Sequence, residues 1–147
     1  MIRKTFAGLL TCVVSAGLFS TPLGAQISKT ATEMKIDELK KRLDEGQKVL
    51  VVDVRTEEEV KSGSIPGAVN IPMAQLEARM KDIAKDVRIV FACDHGVRSS
   101  QAADLYTKHG YTASTWCVLD DWKARGHKIG PTARPAPGEI KPGTAKQ

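Results

Sequence analysis

The stretch VRIVFACDHGVRSS, Val87 to Ser100, decides the fold. Val87 to Ala92 is a short apolar run rich in β-branched residues, which predicts a buried strand. Ser99 to His109 predicts a helix, with Ser99 or Ser100 as its cap and Gly110 as its stop. Between them lies a tight loop that opens on Cys93 and contains Gly96 and Arg98. Burial alone would account for a cysteine at a strand end. It asks for no glycine, arginine or serine at these offsets. A loop of this composition is suited to holding a thiolate, the reactive form of cysteine. The backbone amides from Asp94 to Ser99 can converge on one anion. The helix adds the positive end of its dipole, and Arg98 adds a fixed charge.

Strands and helices alternate outward from this loop. Ile36, Leu39 and Leu43 recur at helical spacing, so Ile36 to Glu45 predicts an amphipathic helix ended by Gly46. Val49 to Val54 predicts a second buried strand with Asp53 and Arg55 at its carboxyl end. Thr56 can cap a short helix from Glu57 to Lys61. Ser62-Gly63-Ser64 and Pro66-Gly67 are turn chemistry. Ala68 to Ile71 predicts a short strand stopped by Pro72. Met73, Leu76, Met80 and Ile83 form a helical stripe for core packing. Tyr111 to Val118 predicts a strand, and Asp120 to Arg125 a short helix ended by Gly126. Alternation of this kind implies an α/β domain with a largely parallel sheet and helices on both faces. Functional residues of such sheets gather at the carboxyl ends of the strands, where Cys93 and Asp53 both fall.

The ends of the chain read differently. Arg3 and Lys4 precede an uncharged apolar run, Phe6 to Phe19, and a turn-like Thr21 to Ala25. This is the layout of a secretory signal peptide, with cleavage expected after Ala25. The run falls short of the about 20 apolar residues of a membrane span. An uncleaved anchor is the alternative. Thr11 and the short preceding run argue against lipid attachment at Cys12. Ile27 to Lys35 is polar and reads as a linker. Residues 131–147 are rich in proline, glycine and alanine without apolar period and read as a disordered or extended tail. The sequence thus divides into a signal peptide at 1–25, a domain at 34–130 and a tail at 131–147.

The chain carries a formal charge of +5, and removal of residues 1–25 would take Arg3 and Lys4 with it. The remaining charge is weak, and its basic residues interleave with acids, as in Glu38 to Glu45. That argues against a nucleic-acid partner. No stable membrane association is expected once the signal is cleaved. Aromatic residues are 5% of the chain, so the core must be aliphatic. Cys93 and Cys117 would remain after cleavage. In an oxidising compartment they could form a structural disulfide, although a full aliphatic core needs no staple.

Four segments, in order, resemble the single-domain rhodanese family of sulfurtransferases. They are VVDVRTEEEV (Val51 to Val60), GSIPGAVNIP (Gly63 to Pro72), CDHGVRSS (Cys93 to Ser100), and HGYTAS with the later Trp122 to Gly126. With the signal peptide, the resemblance narrows to the periplasmic phage-shock rhodanese group. It implies a rhodanese-like α/β fold with a small central parallel sheet flanked by helices. It also implies that Cys93 attacks the outer sulfur of a donor such as thiosulfate and becomes a persulfide, which a thiol or cyanide acceptor discharges. Asp94, His95, Gly96, Val97, Arg98 and Ser99 would line the anion bowl. No metal or organic cofactor is implied. In the family the Asp53–Arg55 pair is mainly structural, with Arg55 expected to meet Glu58 or Glu59.

Four residues separate Cys93 from Arg98. Related domains that act on phosphate or arsenate carry one more residue in this loop, so its length favours sulfur transfer. A non-catalytic binding module, or a carrier that hands sulfur to a dedicated partner, is the remaining alternative. The sequence also departs from the family. Asp94 would repel a dianionic donor if it pointed inward and would matter little if it pointed to solvent. Ser64 stands where histidine is frequent. Trp116 to Asp121 replaces a turn that usually holds paired glycines. Cys117 lies in that segment, either as a packed strand residue or as a partner able to resolve a Cys93 persulfide. Arg98 could hold the loop, steer the donor or form a structural ion pair. His95 reads as an exposed loop residue, and His109 and His127 as helix-end and turn residues.

Overall fold

The computed structural model describes residues 31–134 and Ile140. Its sheet has five strands: β1 (Thr32–Glu33), β2 (Val49–Asp53), β3 (Val69–Asn70), β4 (Arg88–Cys93) and β5 (Ser114–Val118). All pairings are parallel, in the order β1-β5-β4-β2-β3. The central strands β2 and β4 register Val51 with Val90 and Asp53 with Ala92, which brings their carboxyl ends level. Helices α1 (Ile36–Asp44), α2 (Leu76–Arg79), α3 (Val97–Lys108) and α4 (Leu119–Ala124) complete the α/β fold.

Side chains alternate across each strand, and the core therefore divides in two. Leu50, Val52, Ile89, Phe91 and Cys93 face one way, against Ala102, Ala103 and Tyr106 of α3 and Leu76 of α2. Val49, Val51, Val90, Ala92 and Cys117 face the other, against Ile36 and Leu39 of α1 and Leu119 and Trp122 of α4. A sheet covered on both faces demands the continuous apolar runs seen in β2 and β4. Phe91 meets Tyr106 edge to face at 4.8 Å, and Tyr106 meets Tyr111 at the same distance. The Tyr106 hydroxyl donates to the Leu76 carbonyl at 3.2 Å, and burial pushes its phenol upward.

Several expected boundaries shift. The linker ends in strand β1, whose Thr32 and Glu33 pair with Thr115 and Trp116 at the sheet edge. The stripe from Met73 to Ile83 is one turn of α-helix between two 3₁₀ turns, Met73–Gln75 and Met80–Asp82. The segment from Glu57 is also a 3₁₀ turn, Glu59–Ser62. Strand β5 starts at Ser114 because Tyr111 turns inward, its hydroxyl donating at the Met80 and Ile83 carbonyls. The tail expected from residue 131 to be disordered or extended is extended at its start. Ala133 bonds to the edge of β3 on both sides, its amide to Ala68 and its carbonyl to the Asn70 amide, both at 2.9 Å. Ile140 is 4% exposed and belongs to the α3-side core. The signal-peptide segment 1–25, Cys12 and most of the tail lie outside the described residues. Among the described residues, no helix is long and apolar enough to cross a membrane.

Candidate active site

Strand β4 ends on Cys93 and α3 begins at Val97, so three residues make the turn. Gly96 caps the helix with φ +89°, a left-handed conformation that favours glycine. A Cβ there would also lie 2.9 Å from Cζ3 of Trp116 and 3.2 Å from Cγ2 of Val118. Both demands select glycine. The expected cap at Ser99 or Ser100 is thereby corrected, since these residues lie in the first helical turn. Their hydroxyls donate back to the carbonyls of Gly96 and Val97, at 3.1 and 2.9 Å.

The turn closes around the sulfur. Gly96 N–H donates to Cys93 Sγ at 3.2 Å and Ser99 N–H at 3.3 Å. Cys93 Sγ donates in turn to Ser99 Oγ at 3.3 Å. Ser99 is fully buried, and its hydroxyl also reaches the Cys117 carbonyl at 3.2 Å. Two amides at a helix N-terminus suit an anionic sulfur. Cys93 itself is 2% exposed.

A charged network surrounds this core. Asp53 and Arg55 are both buried, and the Arg55 guanidinium grips the Asp53 carboxylate from Nε (3.1 Å) and Nη2 (2.8 Å). The Ser64 hydroxyl donates to the same carboxylate at 2.6 Å, and Asn70 Nδ2 ties down the Asp53 and Arg55 carbonyls. Burial opposes the Arg55 charge, but the hydrogen bond and charge of Asp53 outweigh it and raise its pKa. Of the expected Arg55 partners, Glu59 is met, through its backbone. Arg55 Nη1 donates to Asp94 Oδ1 at 3.0 Å, and from Glu59 it meets only the carbonyl, at 3.5 Å.

The Glu59 carboxylate belongs instead to Arg98, through two bonds of 2.8 Å. Those bonds, with the Thr56 amide, lower the Glu59 pKa to about 2. Arg98 is raised, by the Glu59 hydrogen bond first and with a contribution from the Cys93 charge. Arg98 Nη2 also lies 3.7 Å from Asp94, and Lys123 Nζ lies 3.5 Å away. Asp94 thus points neither at the sulfur nor freely to solvent. It is held among three cations, while its carbonyl accepts the Asp120 amide at 3.2 Å.

Of the residues singled out in the sequence, the structure gathers Cys93, Gly96 and Ser99 at the sulfur. Asp94 and Arg98 join the charged network. His95 is 83% exposed, with Nδ1 2.9 Å from Asp120, and Val97 is 64% exposed. Neither makes a hydrogen bond to the sulfur. Asp120 and Lys123 were missed, and the Glu59 carboxylate was expected at Arg55 rather than at Arg98. Their only signal is charge in an acid-rich turn and on a short helix, which surface residues share. Strand β5 runs directly into α4, with Val118 as cap, where a glycine turn was the family expectation.

The disulfide alternative is corrected as well. Cys93 and Cys117 are both free. They stand on adjacent strands but belong to cores on opposite faces of the sheet. Burial drives the Cys117 thiol far upward, which leaves it a packed strand residue. Among the described residues, no group of three or more His, Cys, Asp or Glu could hold a metal ion.

A small parallel sheet that delivers a cysteine into an amide-lined turn at a helix start defines a class of small α/β domains. Within that class the chain belongs to the rhodanese-like domain family, whose model matches residues 35–124. A sulfurtransferase of Allochromatium vinosum is 39% identical over 79 residues, covering 54% of this chain and 74% of that protein. The human thiosulfate:glutathione sulfurtransferase is 35% identical over 98 residues, covering 57% and 84%. The solved structure of a human single-domain sulfurtransferase superposes with a TM-score of 0.59 at 28% identity, over 65% of this chain and 97% of that one. The protein is a rhodanese-like domain with sulfurtransferase homologues.

Proposed function

We propose that this protein is an exported sulfurtransferase that carries sulfane sulfur as a persulfide on Cys93, taking it from a donor such as thiosulfate and passing it to a thiol or cyanide. One observation carries the reading: Cys93 Sγ accepts the Gly96 and Ser99 amides where β4 meets α3. The Cys93 thiolate attacks the outer sulfur of the donor. A new S–S bond forms, the donor's S–S bond breaks, and sulfite leaves with the electron pair. The acceptor thiolate then attacks the outer sulfur of the persulfide and releases the Cys93 thiolate. In both steps negative charge passes through the loop, where the two amides and the α3 dipole offset it without rearrangement. The four residues between Cys93 and Arg98 favour sulfur over the wider phosphoryl group.

Intact mass after thiosulfate treatment tests this. Wild type should gain one sulfur atom that cyanide removes, and Cys93→Ser should gain none. Absence of labile sulfur with every sulfane donor tried would sink the reading. Export rests on Arg3, Lys4 and the uncharged run Phe6 to Phe19. Cell fractionation and N-terminal sequencing should find the chain outside the cytoplasm, starting after Ala25.

A further inference from the structure

The cations that could hold an anionic donor near Cys93 are already occupied. Arg55 is bound to Asp53 and Asp94, Arg98 to Glu59 and Asp94, and Lys123 to Asp94 and Asp120. These contacts join Arg55, Arg98 and Lys123 to Asp53, Glu59, Asp94 and Asp120, so three cations meet four carboxylates. His95 adds positive charge beside Asp120 only when protonated. The thiolate adds one more negative charge. A dianion entering this network finds no surplus cation, because Asp94, though turned away from the sulfur, engages all three.

Resting on the proposed sulfur transfer, we propose that Asp94 is a specificity-determining residue that turns the site toward low-charge donors, namely organic persulfides, and against the thiosulfate dianion. With such a donor, R–S–SH, the Cys93 thiolate bonds to the outer sulfur. The donor's S–S bond breaks, R–S⁻ leaves with the electron pair, and the proton remains on the transferred sulfur. Atoms and charge balance without a co-reactant. The two amides on Sγ serve either donor, since they address the nucleophile. The surrounding charge bears more heavily on the dianion than on the persulfide.

The test compares the second-order rates at which thiosulfate and the persulfide of 2-mercaptoethanol load sulfur onto Cys93, followed by intact mass in the full chain. Asp94→Asn should raise the thiosulfate-to-persulfide ratio about five- to tenfold, with the gain shrinking as salt screens the freed cations. Lys123→Gln, on an exposed helix face, should lower the same ratio. A ratio unmoved in both variants overturns the proposal, as does a change equal for both donors. If Asp94→Asn fails to fold, Lys123→Gln decides alone: a fall supports the proposal and an unchanged ratio overturns it. Failure of wild type to load from either donor would defeat sulfur transfer itself, a distinct result.

Discussion

Arg98 and Glu59, 39 residues apart, face each other through two parallel hydrogen bonds of 2.8 Å. The pair ties the first turn of α3 to the 3₁₀ turn that follows β2. It fixes one side of the cysteine loop to the strand beside it, and a planar guanidinium fits a carboxylate in this geometry better than an ammonium would.

Loss of that tie should depend on pH in a defined way. The Glu59 pKa is lowered to about 2 from an ordinary 4.5. Its contribution to stability is therefore complete above the ordinary value and is lost as pH falls through the folded one. Glu59→Gln should be less stable than wild type at pH 7 by under about 1 kcal/mol, because the pair is partly exposed. The gap should close between pH 4.5 and pH 2, the span from the ordinary to the lowered value. Thermal unfolding of both proteins across that range checks it, and a gap that widens on acidification contradicts it.

Gly96→Ala tests the turn. The positive φ alone should cost about 1–2 kcal/mol, and the approach to Trp116 should add to it. Sulfur loading should fall with stability, because relief of the contact pulls the Gly96 amide from Sγ. Urea unfolding and loading rates read the two effects, and a fully active, fully stable variant would refute both.

Arg55→Met would leave Asp53 as a buried carboxylate with only the Ser64 hydroxyl and the Arg55 amide as partners. Removing one member of a buried pair costs about 3–5 kcal/mol. The expected result is a large drop in the urea midpoint, or failure to fold. An unchanged midpoint would show that the pair contributes little.

Ile140→Ala examines the C-terminal segment. Truncating a buried isoleucine costs about 2–5 kcal/mol, and Ile140 shares the core of Cys93 without bonding to its sulfur, so sulfur loading per folded molecule should stay normal. Stability equal to wild type would mean that Ile140 does not hold its place in this core.

Cys117→Ser should load sulfur as wild type does, because only the Cys117 carbonyl meets Ser99. The buried hydroxyl should lower stability by about 1–3 kcal/mol. A persulfide that persists longer in this variant would revive a resolving role for Cys117.

The parts of the molecule legible in its sequence are those written in local patterns. Apolar β-branched runs mark β2 and β4 because both faces of these strands are covered. Gly96 is legible because a sharp turn after a strand needs positive φ. Strand β1 is not, since Thr32 and Glu33 at an edge carry no apolar period. The helix start is hard to read because Ser99 and Ser100 resemble caps, while their hydroxyls fold back on the first turn. The charge pairing was the least legible. Nothing local says that Glu59 belongs to Arg98 and Asp94 to Arg55, because the choice depends on how β2 and β4 lie side by side.

The near-complete enclosure of Cys93 bears on how its sulfur meets oxidants. A sulfur this hidden is screened by shape before it is screened by reactivity. At 2% exposure the sulfur offers almost no surface to a bulky disulfide or alkylating agent. On the proposed sulfur transfer, a loaded Cys93 would carry its reactive end one bond farther out, with the host sulfur behind it. Oxidative damage would then fall first on an atom that the next acceptor can carry away, sparing the protein's own cysteine.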